Sequence, residues 1–201
     1  MKDDILSPAA ARVFNFVGLL GMIGVLLGAY VYQFAYHELP CTLCQLQRVA
    51  MVAAAFGAAM NVMLGPHPRH YGVCLVSAVF GLAISIRQTL LHINPFFDTK
   101  TVQPTLAATA NPPFGQPVLG LHLYVWGVVL FATVILVVGI VQLFRGQFKP
   151  SPPEPEWLRR LATIGVAVLL VVAAMETLTT FLECGFGACP NDGGWNWWIL
   201  R

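Results

Sequence analysis

Charged side chains are scarce in this chain. They make up 10% of its 201 residues, against about a quarter in a typical soluble domain. So few charges cannot cover a water-facing surface, which excludes an ordinary soluble globule. Neither sign dominates. A formal net charge of +2 is too small for a backbone-neutralising surface, so no nucleic-acid partner is expected. The apolar runs do not alternate with polar residues, which disfavours the strands of a membrane barrel. No internal repeat or low-complexity tract stands out. Histidine is missing after the second cysteine of the CxxC segment, where Gln45 stands, and that excludes haem attachment.

What remains is apolar. Hydrophobic residues supply 57% of the chain and the mean hydropathy is +0.72. A membrane helix needs about 20 apolar residues to cross roughly 30 Å of hydrocarbon. Five stretches qualify: Val13 to Tyr36, Gln45 to Leu64, Tyr71 to Ile93, Leu119 to Phe144 and Leu161 to Leu182. The expected fold class is therefore an all-α integral membrane protein. The first stretch exceeds the 7–15 residues of a signal-peptide core, and Asp3 and Asp4 stand where such a peptide carries positive charge. It is read as a retained helix. Pro150, Pro152, Pro153 and Pro155 stiffen the connector before the last span.

Short cytoplasmic loops concentrate Lys and Arg. With the N-terminus inside, the inner face carries Lys2, Arg12, Arg69, Arg145, Lys149, Arg159 and Arg160. The outer face carries Arg48, Arg87, Lys100 and Arg201, of which the first two lie within helix ends. The expected orientation is N-terminus in the cytoplasm and C-terminus outside. Cys41 and Cys44 then follow the first span, and Cys184 and Cys189 follow the fifth, so four of five cysteines face the outer side. In a bacterium that is the oxidising compartment. Cys74 falls within the third span, as a buried core thiol.

Pro40-Cys41-Thr42-Leu43-Cys44 opens the second helix. Two cysteines at this spacing can close a disulfide or form half of a zinc site with Cys184 and Cys189. Helix N-termini favour thiolates. Arg48, one turn beyond Cys44, can favour a thiolate there or bind a quinone carbonyl; otherwise it snorkels to the interface. Zinc would leave Arg48 without a purpose. Cys184 and Cys189 bracket a glycine-containing turn, which is either a structural clip or an exchanging pair. Arg87, Gln88 and His92 lie near the outer end of the third span, and Glu176 near that of the fifth. Ionisable groups in a bilayer pair or line a cavity. These residues form a polar quinone pocket or proton path, or else Arg87 pairs with Glu176. His67, Arg69 and His70 read as a solvated inner loop. Trp195, Trp197 and Trp198 suit the interface, either as an aromatic belt or as a tail holding the last cysteines near the bundle mouth.

The Pro40–Cys44 segment with Gln47-Arg48, the run Arg87-Gln88-Thr89-Leu90-Leu91-His92 before Pro95, and Gly120-Leu121 with Trp126 resemble the DsbB family of disulfide-bond formation proteins. The resemblance covers roughly residues 10 to 145. It implies a four-helix transmembrane bundle, here followed by a connector (146–160), a fifth transmembrane helix (161–182) and a cysteine-bearing tail (183–201), in one membrane domain of the bacterial inner membrane. It also implies a thiol oxidoreductase that reoxidises a periplasmic, thioredoxin-fold, DsbA-like partner and passes the electrons to ubiquinone or menaquinone. Cys44 would lie beside the quinone, Cys41 would exchange with the second pair, Arg48 would bind the quinone and the Gln88 region would flank its ring. One departure is plain. The family's second cysteine pair lies between helices three and four, yet Asn94 to Val118 holds no cysteine. Cys184 and Cys189 are expected to replace it. The rival from another class is a non-enzymatic membrane protein with structural zinc or structural disulfides. A vitamin K epoxide reductase-like enzyme is disfavoured because its CxxC comes late in the chain, whereas here it follows the first span.

Overall fold

The structure is a computed structural model. It describes residues 6–36, 41–92, 118–149 and 156–184, with side chains described as far as 91 and 182 in the third and last helices. Cys189 and the three tail tryptophans lie outside the described residues, as do most of the outer loop expected to approach a partner and the proline-rich connector.

Five helices carry the fold: α1 Pro8–Ala35, α2 Thr42–Leu64, α3 Pro68–His92, α4 Leu123–Gln142 and α5 Glu156–Cys184. All five are long and apolar enough to cross a membrane. Among the described residues there are no strands, only an isolated bridge between Val118 and Leu121. The chain is thus an all-α membrane bundle.

The helix starts follow local chemistry more than hydropathy. α1 begins five residues before the apolar run, because Ser7 caps it by accepting from the Ala10 N–H at 3.2 Å and Pro8 occupies the first turn. α4 begins later than expected. The apolar run starts at Leu119, but Leu119 (φ 52°) and Gly120 (φ 82°) both adopt left-handed backbone. Val118 and Leu121 exchange backbone hydrogen bonds of 2.9 and 3.1 Å across that turn, so the helix starts only at Leu123.

α2 is the central helix, with half of its membrane window buried, against a third or less in the others. It packs against α1, α3 and α5, while α4 packs on α3. Its inner faces are built on Ala50, Ala54, Ala55 and Ala59. Small residues let membrane helices approach closely, where dispersion replaces the absent hydrophobic drive. Around them lie Leu19, Met22, Ile23 and Leu26 of α1, Phe131 of α4, and Leu169 and Val172 of α5. Helix backbones come close at Gly57, where a Cβ would come within 2.8 Å of the Cys74 backbone nitrogen on α3, and Gly81 leaves room for the Phe131 ring, which a Cβ there would overlap. Cys74 is buried as expected, and its thiol donates to the Ala54 carbonyl at 3.3 Å.

A polar clamp ties the end of the bundle at which α2 passes into α3. Tyr71 is fully buried. Its hydroxyl accepts from Asn15 Nδ2 at 2.7 Å and donates to Gln147 Oε1 at 2.8 Å. Asn61 donates to Asn15 Oδ1 at 3.0 Å and accepts from the His67 N–H at 3.0 Å. Gln147 Nε2 donates to the Val141 and Phe144 carbonyls. The network joins α1, α2, α3 and the short 3-10 turn Arg145–Phe148. His67 and Arg69 lie exposed beside it.

Candidate functional site

At the other end of the bundle, Cys41 and Cys44 form a disulfide, with their Cα atoms 5.0 Å apart. Cys41 is the N-cap of α2, and its sulfur accepts the Cys44 N–H at 3.1 Å. The cap satisfies one of the unpaired N–H groups of the first turn. On reduction the same N–H favours the thiolate.

Gln88 comes to this disulfide from α3. Its Nε2 lies 3.2 Å from both sulfurs and donates toward them. Its orientation is fixed by Gln47, whose Nε2 donates to Gln88 Oε1 at 2.8 Å. Both amides are buried. Room for this pair depends on Gly127 of α4. A Cβ there would lie 2.8 Å from Ser85 Oγ and 3.4 Å from Gln47 Oε1.

Arg48 is buried and does not snorkel. Its side chain is 10% exposed. NH1 donates to Gln33 Oε1 and to Glu176 Oε2, each at 2.8 Å, and NH2 donates to the Ala29 carbonyl at 3.3 Å. The expected alternative pairing of Glu176 with Arg87 is not found. α5 packs on α1 and α2, whereas α3 packs on α2 and α4, so Glu176 meets the α2 arginine and Arg87 faces outward, exposed.

These residues border a cavity of about 620 Å³. Cys44, Gln47, Arg48 and Gln88 supply polar groups, and Met51, Tyr124, Trp126 and Leu130 are part of its broader, largely apolar lining. Cys44 borders the cavity and Cys41 does not. The cavity lies between α1 and α4, which are not a closely packed pair. Its rim residues Val25, Leu123 and Val129 are exposed apolar side chains, so the mouth faces the lipid side. Val118 and Leu119 lie over one end, where Trp126 Nε1 holds the turn by donating to the Val118 carbonyl at 3.0 Å. An apolar molecule with hydrogen-bond acceptors on a ring fits this lining.

Of the residues expected at the site, the structure brings together Cys41, Cys44, Arg48 and Gln88. Arg87 stands apart. His92 ends α3, with its side chain outside the described residues, as does that of Cys184 at the end of α5. Among the described residues, no group of three or more His, Cys, Asp or Glu side chains comes together. Gln33 went unnoticed in the sequence. Its signal was an amide in the last turn of α1, at the end of an apolar and aromatic run, and intramembrane polar groups seek partners.

A half-buried CxxC disulfide, held at a helix N-terminus beside a lipid-facing cavity, defines this chain as a helical membrane protein with a redox-capable cysteine centre. The family model described as "Disulfide bond formation protein DsbB" matches residues 11–141. The chain belongs to the DsbB family. It is 35% identical over 162 residues to a disulfide bond formation protein B of Pseudomonas syringae pv. tomato, covering 69% of this chain and 94% of that protein. It is 34% identical over 96 residues to a protein of the same name from Chromohalobacter salexigens, covering 45% of this chain and 55% of that one. A third, from Aromatoleum aromaticum, is 35% identical over 85 residues, covering 40% and 51%. The chain thus spans about half the length of two of these relatives. No solved structure matches it.

Proposed function

We propose that this protein is a membrane dithiol oxidase that takes electrons from a periplasmic, DsbA-like thioredoxin-fold partner and delivers them to a membrane quinone. The observation that carries this reading is the Cys41–Cys44 disulfide, with Cys44 on the border of an apolar, lipid-facing cavity whose polar groups are Arg48 and Gln88.

The lining fits a quinone. Arg48 would donate to a ring carbonyl, Gln88 would flank the ring, and the apolar walls would take the ring and the start of its tail. A bound quinone supplies a two-electron acceptor that, with two protons, leaves as hydroquinone. The chain's own residues do the rest. The partner's thiolate attacks a disulfide sulfur of this chain, and the second partner thiol resolves the mixed disulfide. Two electrons and two protons have then left the partner, which becomes a disulfide. Cys184 and Cys189 are the pair attacked first, and one of them passes the electrons to Cys41. That exchange releases Cys44 as a thiolate, and the Arg48 charge and the Gln88 amide favour it. Once the partner's second thiol has released the other cysteine of the Cys184/Cys189 pair, that thiolate attacks its neighbour's bond to Cys41, which re-forms Cys184–Cys189 and frees Cys41. Two electrons, with two protons, then leave Cys41 and Cys44 for a bound quinone as their disulfide re-forms.

Helix geometry supports the relay. Arg48 and Glu176 are in contact, so they share one level. At a rise of 1.5 Å per residue, Cys44 and Cys41 lie roughly 6 and 10 Å outward from Arg48, and the backbone of Cys184 lies roughly 12 Å outward from Glu176. The end of α5 therefore stands level with the CxxC motif. The Lys/Arg bias supports an N-terminus in the cytoplasm and a C-terminus in the periplasm of a bacterial inner membrane.

The test uses the purified full chain, a short-tailed ubiquinone or menaquinone analogue, and a reduced thioredoxin-fold dithiol protein without oxygen. Loss of quinone absorbance should match disulfide formation one to one, and Cys44→Ser should abolish both. Bound zinc with no quinone reduction would establish the structural-scaffold reading instead.

A further inference from the structure

Glu176 reaches the site from α5, a helix that lies beyond the region the family model matches. We propose that Glu176 is the positioning residue that keeps Arg48 in the wall of the cavity, which makes the fifth helix part of the acceptor site. The inference rests on the reading of that cavity as a quinone site.

A lone arginine near a helix end in a bilayer uses its flexible stem to lift the charge to the interface. Arg48 does otherwise. Three groups hold it, and two of them, Gln33 Oε1 and the Ala29 carbonyl, are neutral. They set the direction of the guanidinium but leave its charge uncompensated. Among the described residues, only Glu176 supplies the opposite charge, from a side chain itself 8% exposed. A buried charge keeps its place when it is paired and hydrogen-bonded, and it is strongly destabilised when the partner is removed.

The form of the contact matters as much as its existence. Arginine and carboxylate commonly meet through two parallel bonds, which use one edge of the guanidinium. Here one carboxylate oxygen meets NH1, and Oε1 is buried with no hydrogen-bond partner. Both NH1 protons go to Gln33 and Glu176, and one NH2 proton goes to Ala29. Among the described residues, no acceptor takes the second NH2 proton or Nε–H, which leaves both for an acceptor in the cavity that Arg48 borders. A two-point clamp by Glu176 would have taken one more of them. The Thr179 and Thr180 hydroxyls bond the Glu176 backbone carbonyl, so they leave the carboxylate to Arg48.

The experiment measures two quantities on the purified full chain. One is the Kd of a short-tailed ubiquinone analogue for the oxidised protein, by calorimetry. The other is quinone KM and kcat with dithiothreitol as reductant, which bypasses the partner. Glu176→Gln keeps volume and acceptor and removes the charge. It should raise Kd and KM at least tenfold and change kcat less. In an Arg48→Gln background the same change should add less than twofold, because its target is gone. If Arg48→Gln weakens binding but Glu176→Gln leaves Kd within twofold of wild type, the inference falls and the quinone site stands. If Arg48→Gln itself leaves Kd and KM unchanged, the quinone-site reading falls and takes the inference with it. Glu176→Asp retains the charge and shortens the reach by one methylene. It covers the case in which the glutamine variant does not fold: a severalfold rise in Kd supports the positioning role, and a Kd within twofold of wild type overturns it.

Discussion

Arg48 of α2 and Glu176 of α5 form a 2.8 Å ion pair inside the membrane bundle, across 128 positions of sequence. The pair links two halves of the molecule that the sequence keeps apart, the CxxC helix and the helix that ends in Cys184. Because one partner also borders the cavity, the register of α5 and the position of the cavity arginine are set by one contact. A slip of α5 by one turn would remove the carboxylate from Arg48 and move Cys184 by about 5 Å relative to the CxxC motif.

Gln88→Leu should make the Cys41–Cys44 pair harder to reduce. The amide donates toward both sulfurs at 3.2 Å, and a donor stabilises a thiolate more than it stabilises a disulfide. Hydrogen bonds to charged groups contribute about 1.5–3 kcal/mol. At about 30 mV per 1.4 kcal/mol for a two-electron couple, the midpoint potential should fall by about 30–60 mV. Equilibration of quinone-free protein with glutathione redox buffers reads it directly. An unchanged potential would mean that Gln88 only packs against the motif.

Gly127→Ala should destabilise the protein and disturb the disulfide's support together. The added methyl would meet Ser85 Oγ at 2.8 Å and Gln47 Oε1 at 3.4 Å. Overpacking of this kind costs about 1–3 kcal/mol. The melting temperature in detergent should fall and quinone turnover with it. Adding Ser85→Ala removes the nearer clash and should recover most of the loss. A double variant no better than the single one would place the strain elsewhere.

The spans and the cysteine motif were legible because both are local signals. Hydropathy marks five crossings whatever their packing, and the two cysteines of CxxC are joined within one helical turn. The start of α4 was hidden because Leu119 is apolar and yet lies in a left-handed turn, at 88% exposure. Hydropathy cannot distinguish a lipid-facing turn from a helix. The partner of Glu176 was hidden for a different reason. Arg87 and Arg48 both stood near the outer side as candidates, and the choice depends on which helices are neighbours, which no single segment states. Gln33 and the clamp residues Asn15 and Asn61 also needed the packing, since a lone amide announces that it has a partner without naming it.

Tyr71→Phe should loosen the polar clamp at the end where α2 passes into α3 and leave the redox site alone. Removing the hydroxyl takes a donor from Gln147 Oε1 and an acceptor from Asn15 Nδ2, although Asn15 keeps the Ala11 carbonyl at 2.7 Å. The expected loss is about 1–2 kcal/mol, in the range of buried polar groups left unsatisfied. Reversible unfolding in mixed detergent measures it. Quinone KM and kcat at 25 °C should match wild type, because the clamp lies at the opposite end from the cavity. A large change in KM would show that the two ends are coupled.

The Lys/Arg bias makes the fate of the C-terminus a direct test of topology. Alkaline phosphatase fused after Arg201 should be active in a bacterial host, since it folds only in an oxidising compartment. A cytoplasmic reporter at the same point should be inactive. The reverse pattern would put Cys184 and Cys189 on the wrong side of the membrane from Cys41 and Cys44, and the relay would fail.

Cys184 and Cys189 carry the last and most consequential prediction. The chain between 94 and 118 contains no cysteine, so if a second exchanging pair exists outside the membrane, these two residues form it. Cys184 ends α5 and Cys189 stands five residues further along the chain, so we expect a soluble partner to attack Cys189. Attack on Cys189 would therefore leave a partner adduct there and free Cys184 to attack Cys41. Cys184→Ala leaves Cys189 a lone thiol; offered a partner whose attacking thiol is activated as a mixed disulfide with thionitrobenzoate, it should form that adduct with release of thionitrobenzoate, visible on non-reducing gels and lost on reduction. Cys189→Ala should trap far less. The double variant should stop partner oxidation, while small dithiols should still reduce the Cys41–Cys44 disulfide and drive quinone reduction at the wild-type rate. That last arm separates a broken relay from a broken site. If the double variant oxidises its partner at full speed, the pair is a structural clip, and the partner attacks the CxxC disulfide directly.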